Sequence, residues 1–248
     1  MGKREVILDR SLRIPWFRDD VMEKMRIAVI GIGNTGSYTA TMLYGLAPKE
    51  LWLIDKDVVE LTNVQRQFIF SEEDEGRAKV HAARDFLLGR FRGHGTKVKP
   101  VVADARYFSW DFKPDFVFCC VDNNEARKAV LEHCLRKDIP MIDMGLEFHE
   151  SQAGHVLLVD RSALPDGACV NCYMDLGRRI KREAGCIAAG IPYSGAMVAS
   201  IAVGMFIQHT FRKLRANYYF IDLNSQHVKF ALLKRRENCS LCSDVSPA

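Results

Sequence analysis

Two groups of residues in this chain have the types and spacing to do chemistry. The first runs Asp55-Lys56-Asp57-Val58-Val59-Glu60-Leu61-Thr62-Asn63-Val64-Gln65-Arg66-Gln67. It continues at Gly76-Arg77-Ala78-Lys79 and at Cys120-Val121-Asp122-Asn123. Arginine grips phosphate oxygens through a planar fork, and lysine offers a mobile point charge. A carboxylate beside phosphates is the usual protein contribution to a Mg²⁺ site. The second group is Cys169-Val170-Asn171-Cys172 and Cys239-Ser240-Leu241-Cys242, with 66 residues between the pairs. Four thiolates in two C-x-x-C clips suit tetrahedral Zn²⁺ with no open coordination position, so the expected role is structural. Redox pairing of the thiols is the alternative.

A third feature places the first group. Gly31-Ile32-Gly33-Asn34-Thr35-Gly36 follows the apolar run Met25–Ile30. In a strand, G-x-G-x-x-G, helix arrangement, the first glycine permits the turn and the second lets phosphate approach. The third lets helix and strand pack. Phosphate then meets the free N–H groups of the helix start. Asp55 lies 19 residues after Gly36, where a carboxylate can hold ribose hydroxyls. By itself the loop fits NAD, FAD or ATP.

The elements that must position these residues read off the hydrophobic pattern. Strands are expected at 25–30, 50–54, 98–102, 115–121 and 139–144, with helices at 37–46, 79–91 and 125–137. Residues 56–77 read as a long polar loop. Alternation of strand and helix implies a parallel sheet covered on both faces. From Gly154 the pattern changes: a strand to Asp160, a loop-rich stretch over 161–192, a helix over 194–213 and a hairpin of 218–222 with 228–233 across Asn224-Ser225. The expected fold is α/β, Rossmann-like and doubly wound, with a mostly parallel sheet and a mixed or antiparallel C-terminal half. It is read as a single domain over 1–248, with a nucleotide-binding half at 25–150 and a zinc- and partner-binding half at 151–248.

The composition sets bounds. With 48% hydrophobic and 27% charged residues over 248 positions, the chain can build a globular core. A net charge of +4 is too mild to argue for nucleic acid. The N-terminal MGKREVILDRSLRIPWFRDD has no apolar signal core. With the C-x-x-C clips, this points to a reducing, cytoplasmic setting. Cys186–His209 carries no charged side chain, yet its glycines, serines and Pro192 read as a loop and a buried helix rather than a membrane span.

On the run D-x-D-x-V-x-x-x-N-x-x-R-Q at 55–67, with Lys79 thirteen residues after Arg66, the chain resembles the ThiF/MoeB/HesA family of ubiquitin-activating-type adenylyltransferases. The resemblance covers roughly residues 5–245. It implies that the glycine loop binds MgATP rather than a dinucleotide. It also implies that the enzyme adenylates the C-terminal Gly-Gly carboxylate of a ubiquitin-like or sulfur-carrier protein. Arg66 and Lys79 are then expected to clamp the phosphates, and Asp122 to hold Mg²⁺. Asp55 would hold the ribose, with Asp57 beside it, and Asn63 and Asn123 would orient the nucleotide. The family also implies the structural zinc and a homodimer; no rhodanese-like domain follows in the sequence, so a sulfur donor, where sulfur is transferred, is expected to be a separate protein.

Two departures stand out. The family's loop usually has glycine where Asn34 stands; asparagine tolerates left-handed backbone, so the turn is expected to survive. The segment Leu8–Ile14 resembles the family's Tyr-x-Arg-Gln start but lacks its Tyr and Gln. Arg10, with Arg13 as runner-up, is the candidate for the arginine that reaches the partner subunit's ATP site.

Cys186 holds the position of the family's thioester- or acyl-persulfide-forming cysteine, and Arg178, Arg179, Lys181 and Arg182 are near it in sequence. Cationic surroundings favour a thiolate. Cys119, Cys120 and Cys134 read as core residues. The basic runs 178–182 and 234–236 read as solvated faces or contacts to an acidic partner. Activation of a tRNA-borne or peptide carboxylate is the nearest alternative. An NAD(P)-linked oxidoreductase is the alternative of another class, and it leaves Arg66, Lys79 and the cysteine clips unexplained.

Overall fold

A computed structural model describes residues 2–147, 152–174, 176 and 191–243. Its centre is an eight-stranded sheet in the order β3-β2-β1-β4-β5-β6-β7-β8. The strands are β1 (Arg26–Ile30), β2 (Glu50–Asp55), β3 (Lys97–Val102), β4 (Phe116–Cys119), β5 (Met141–Glu147), β6 (Ala153–Val159), β7 (Tyr218–Asp222) and β8 (His227–Ala231). The first five run parallel, and β6, β7 and β8 are added antiparallel.

Side-chain alternation along β1 shows why both faces need cover. Ile27 and Val29 enter one apolar cluster, and Ala28 and Ile30 enter the other. Because successive side chains point to opposite faces, a strand buried on both sides must be apolar throughout. The first face is covered by α3 (Asn34–Gly45), α5 (Lys79–Arg90) and α8 (Pro192–Phe211), through Leu43, Val80 and Phe206. The second is covered by α6 (Asn124–Lys137) and the loops around residues 103–112 and 168–176. The seven residues of β6 are all buried even though its pairing is antiparallel.

Among the described residues, α8 alone is long and apolar enough to cross a membrane. Its Val198, Ala202 and Phe206 are buried in the core, and it lies against α3, β5 and β6. This is the buried helix expected from the sequence.

The structure differs from the sequence reading in several places. Lys3–Leu12 forms a helix, α1, which the hydrophobic pattern did not suggest. It is held through Arg4, which pairs with Asp19 and donates to the carbonyls of His94 and Ala47. A second short helix, α2, spans Asp19–Met22. The polar stretch 56–77 contains a one-turn helix, α4 (Leu61–Val64), and a 3-10 turn at Glu72–Asp74. Another one-turn helix, α7 (Val170–Tyr173), sits in the first cysteine clip. The hairpin strand ends at Ala231, and Gln226 takes the left-handed backbone conformation at its turn.

Candidate functional site

The strand order reverses between β1 and β4, where β2 and β3 lie to one side and β5 to the other. Ligands of open α/β sheets bind beyond the C-terminal strand ends at such a switch point. The glycine loop is built there. Gly31 has φ +89°, a conformation only glycine adopts readily, and a Cβ would sit 2.8 Å from the Cys120 carbonyl oxygen. A Cβ on Gly36 would meet the Gly31 carbonyl oxygen at 1.9 Å, so the first turn of α3 lies directly on the loop. Gly33 faces open space, leaving room for a group to approach the backbone.

Asn34 behaves differently from its expected role. It is the first residue of α3 and is right-handed, so the left-handed tolerance of asparagine is not needed. Its amide donates to the Ile191 carbonyl at 3.4 Å, next to the start of α8. Gly195 of α8 makes room for it, because a Cβ there would lie 2.2 Å from Asn34 Oδ1.

At the end of β2, Asp55 accepts from the Ile32 N–H at 2.6 Å and from the Asp57 N–H at 2.8 Å. The carboxylate thus ties the glycine loop to the next strand. Burial pushes its carboxyl above the usual range, against the pull of the two N–H donors and of Lys79. Lys79 opens α5, is only 7% exposed, and lies 3.7 Å from Asp57. An ammonium so enclosed, with one loose carboxylate partner, is a cation ready for a further anion.

The remaining residues of the first group divide. Arg66 is half-buried and donates to the Thr62 carbonyl. Asn63 is buried and caps the one-turn helix α4 by accepting from the Glu60 N–H at 3.2 Å. Asn123 is the N-cap of α6, accepting from Ala126 at 2.8 Å, and its amide reaches Asp122 at 3.3 Å. Both asparagines therefore have local structural work in this structure. Asp122 is exposed at the crevice, just past β4. Gln67, the last residue of that run and given no role from the sequence, is buried, and its Oε1 has no partner among the described residues.

Arg10 and Arg13 are not brought to this crevice. They lie on or just after α1, both are exposed, and both pair with Asp9, at 3.7 and 2.8 Å. Cys186 and the basic run 178–182 lie outside the described residues.

The four clip cysteines do converge. Neighbouring sulfurs are 3.5–3.8 Å apart, from Cys169 to Cys172 and Cys239 and from Cys172 to Cys242. All four Sγ atoms fall within 4.8 Å of one another. Tetrahedral Zn²⁺ with Zn–S near 2.3 Å needs sulfurs about 3.8 Å apart, so the cage has the right size. A proton held between sulfurs pushes the Cys169 thiol up, and hydrogen bonds from Cys169 and the other sulfurs bring Cys242 down to about 5. The Asn171 amide and the Arg236 N–H each donate to a clip sulfur at 3.4 Å. The Arg236 guanidinium also donates to the Asn171 carbonyl at 2.5 Å, so this exposed member of the basic run braces the clip while it faces solvent.

A family model described as the ThiF family matches residues 8–241. The chain belongs to the ThiF family. Relatives within reach of this member are named ubiquitin-like modifier-activating enzyme 5. The Caenorhabditis elegans protein is 32% identical over 71% of this chain and 45% of its own length. The Branchiostoma floridae protein is 28% identical over 98% of this chain and 62% of its own. This ThiF member thus spans about half to three fifths of the length of the curated relatives it matches. Among solved structures, Escherichia coli MccB with MccA-N7isoASN superposes with a TM-score of 0.77 at 19% identity, covering 97% of this chain and 75% of that one. PaaA superposes at 0.69 and 18% identity, over 94% and 73%. Those two likenesses establish the ThiF-type fold, with its parallel sheet and antiparallel C-terminal strands.

Proposed function

We propose that this chain is the adenylating core of an ATP-dependent activating enzyme. Its substrate is the C-terminal Gly-Gly carboxylate of a ubiquitin-like or sulfur-carrier protein. The observation that carries the reading is the enclosed Lys79, beside Asp57 and Asp55 and next to a glycine loop whose middle glycine faces open space. The ThiF membership and the names of the relatives support the same assignment.

In the proposed reaction a carboxylate oxygen attacks the α-phosphorus of ATP. The new P–O bond forms as the bond to the bridging α–β oxygen breaks, and pyrophosphate leaves with that electron pair. Negative charge gathers on phosphoryl oxygens, so catalysis is positioning and charge stabilisation. The N–H groups at the start of α3 receive phosphate, and Lys79 neutralises it. Arg66 swings from the Thr62 carbonyl to add a bidentate grip. Asp55 holds the ribose. Asp122 is the residue to hold Mg²⁺, which supplies charge neutralisation on the phosphates. Asn63 and Asn123 fix the loops that face the nucleotide.

The four clip cysteines hold a structural zinc that pins the segment 239–242 to α7. Arg10 or Arg13 acts across a homodimer, a reading supported by their distance from this chain's own crevice and by exposed Val6 and Leu12 on the same helix. Cys186 captures the activated tail as a thioester or acyl persulfide, with a separate sulfur donor in the second case. The setting is cytoplasmic.

ATP–pyrophosphate exchange with Mg²⁺ and a panel of small β-grasp proteins ending in Gly-Gly tests the reading. Exchange with one member identifies reaction and partner together. ATP binding without exchange redirects the assignment to a peptide or tRNA-borne carboxylate. Saturable NADH binding without ATP binding would restore the oxidoreductase alternative, which ThiF membership opposes.

A further inference from the structure

The nucleotide loop after β4 is keyed to the interior of the sheet by a charged group that the reaction above does not use. Arg127 lies one turn into α6, and its side chain turns back beneath the loop. One guanidinium nitrogen donates to the Val121 carbonyl at 2.8 Å, the residue immediately before Asp122. The other donates to Asp143 of β5 and to the Met144 carbonyl. Asp143 is completely buried, and its second oxygen meets His155 Nε2 of β6 at 3.2 Å. Arg127 is 5% exposed and His155 4%. Burial alone would raise the Asp143 carboxyl; the facing Arg127 charge and the His155 contact bring it below its ordinary value.

As a stabilising device this arrangement is inefficient. A buried ion pair often gains little over apolar residues of equal volume, and Arg127 Nε has no partner among the described residues. What the fork supplies is geometry: two rigid donors reach β5 and the Val121 peptide at once, which neither lysine nor an apolar residue can do. The clearance around it is small. A Cβ on Gly145 would come 2.6 Å from the His155 ring and 3.4 Å from the Arg127 guanidinium.

We propose that Arg127, clamped on Asp143 and His155, is a positioning residue that fixes the Val121 peptide and so sets where Asp122 presents its carboxylate to the nucleotide-bound cation. The proposal rests on the ATP reading given above. It assigns Arg127 no contact with substrate.

The test measures Mn²⁺ affinity by electron paramagnetic resonance with ATP present, and ATP affinity without metal, for Arg127→Lys, Asp122→Asn and the double variant. Thermal melts serve as the folding control. Outer-shell partners of metal ligands typically govern affinity by about 10–100-fold. Arg127→Lys should therefore weaken Mn²⁺ about tenfold or more and leave metal-free ATP affinity within about twofold. In the Asp122→Asn background it should add nothing, because the two act through one group. Equal Mn²⁺ affinity in wild type and Arg127→Lys, or additive losses in the double variant, overturns the proposal. Should Arg127→Lys not fold, His155→Gln carries the same test from the outer end of the network. A smaller loss of Mn²⁺ affinity in His155→Gln supports the proposal, and no loss overturns it. Wild-type protein that binds no ATP would instead overturn the ATP reading, leaving the two failures distinct.

Discussion

Gly36 lies against Gly31 so closely that a Cβ at 36 would be 1.9 Å from the Gly31 carbonyl oxygen. The clash is with backbone, so nothing flexible can yield. Gly36→Ala should cost about 3 kcal/mol, a fall of roughly 6–12 °C in melting temperature for a chain of this size. Gly33 has nothing within 4 Å, so Gly33→Ala should melt normally and weaken ATP binding. Calorimetric melts and an ATP titration of both variants check the pair. Normal ATP affinity in Gly33→Ala would remove the phosphate from that position.

Lys79 is buried with Asp57 as its ion-pair partner at 3.7 Å. Lys79→Met keeps the aliphatic volume and removes the charge. Losing one preorganised cation or donor from a developing phosphoryl charge costs about 100–1,000-fold in rate. Stability should change by no more than about 1 kcal/mol, because a desolvated ammonium with one distant partner contributes little. Pyrophosphate exchange alongside urea denaturation separates the two effects. Near-normal exchange would take Lys79 out of the phosphate site.

The sulfur cage should hold one Zn²⁺ per chain, read by elemental analysis of protein prepared under reducing conditions. Cys172→Ser should lose the metal and unfold more readily by upwards of about 3 kcal/mol, since structural zinc binding free energies run to about 10–16 kcal/mol in small domains. Chelation of the wild-type protein should expose the thiols to a thiol reagent. A metal-free protein with all four thiols already reactive would overturn the zinc assignment.

Acid stability follows from two carboxylates. Asp143 is held below its ordinary value, against burial, by Arg127 and His155. Asp160 is held low, against partial burial, by the His209 contact at 2.6 Å. A folded value below the unfolded one contributes stability that is complete above the unfolded pKa, near 3.9. That stability is lost as pH falls through the lower folded values. Asp55 has the opposite sign, because burial raises it, and protonating it relieves a cost. Denaturation midpoints from pH 7 to pH 3 should therefore fall mainly below about pH 4. In Asp160→Asn the acid loss should shrink. An unchanged acid profile in that variant would remove the Asp160–His209 contribution.

Cys186→Ala should leave pyrophosphate exchange intact and abolish any reducible adduct of the carrier tail. Mass spectrometry of the mixture before and after dithiothreitol reads this directly. An adduct that survives the substitution would move the capture step to another residue.

The local signals in the sequence were strong wherever chemistry is set by neighbours along the chain. G-x-G-x-x-G must be a tight turn because two of its positions admit no side chain. Strands β1, β2 and β4 read as buried because short apolar runs ending at turn residues fit the covered centre of a sheet. The C-x-x-C clips each announced a pair of thiols held close together. Tertiary structure decided what depends on residues distant in sequence. It closed the 66-residue gap between the clips to sulfur–sulfur contact. It made Asn34 a helix residue facing Gly195 rather than a turn residue. Helix α1 buries only Leu8 of its apolar residues, and Arg4 anchors it through atoms 15 to 90 residues away. Asp143 sits inside the apolar run of β5, where only the fold could show that Arg127 and His155 meet it. A charge can be buried there because its partners arrive from α6 and β6, and sequence spacing carries no record of that meeting.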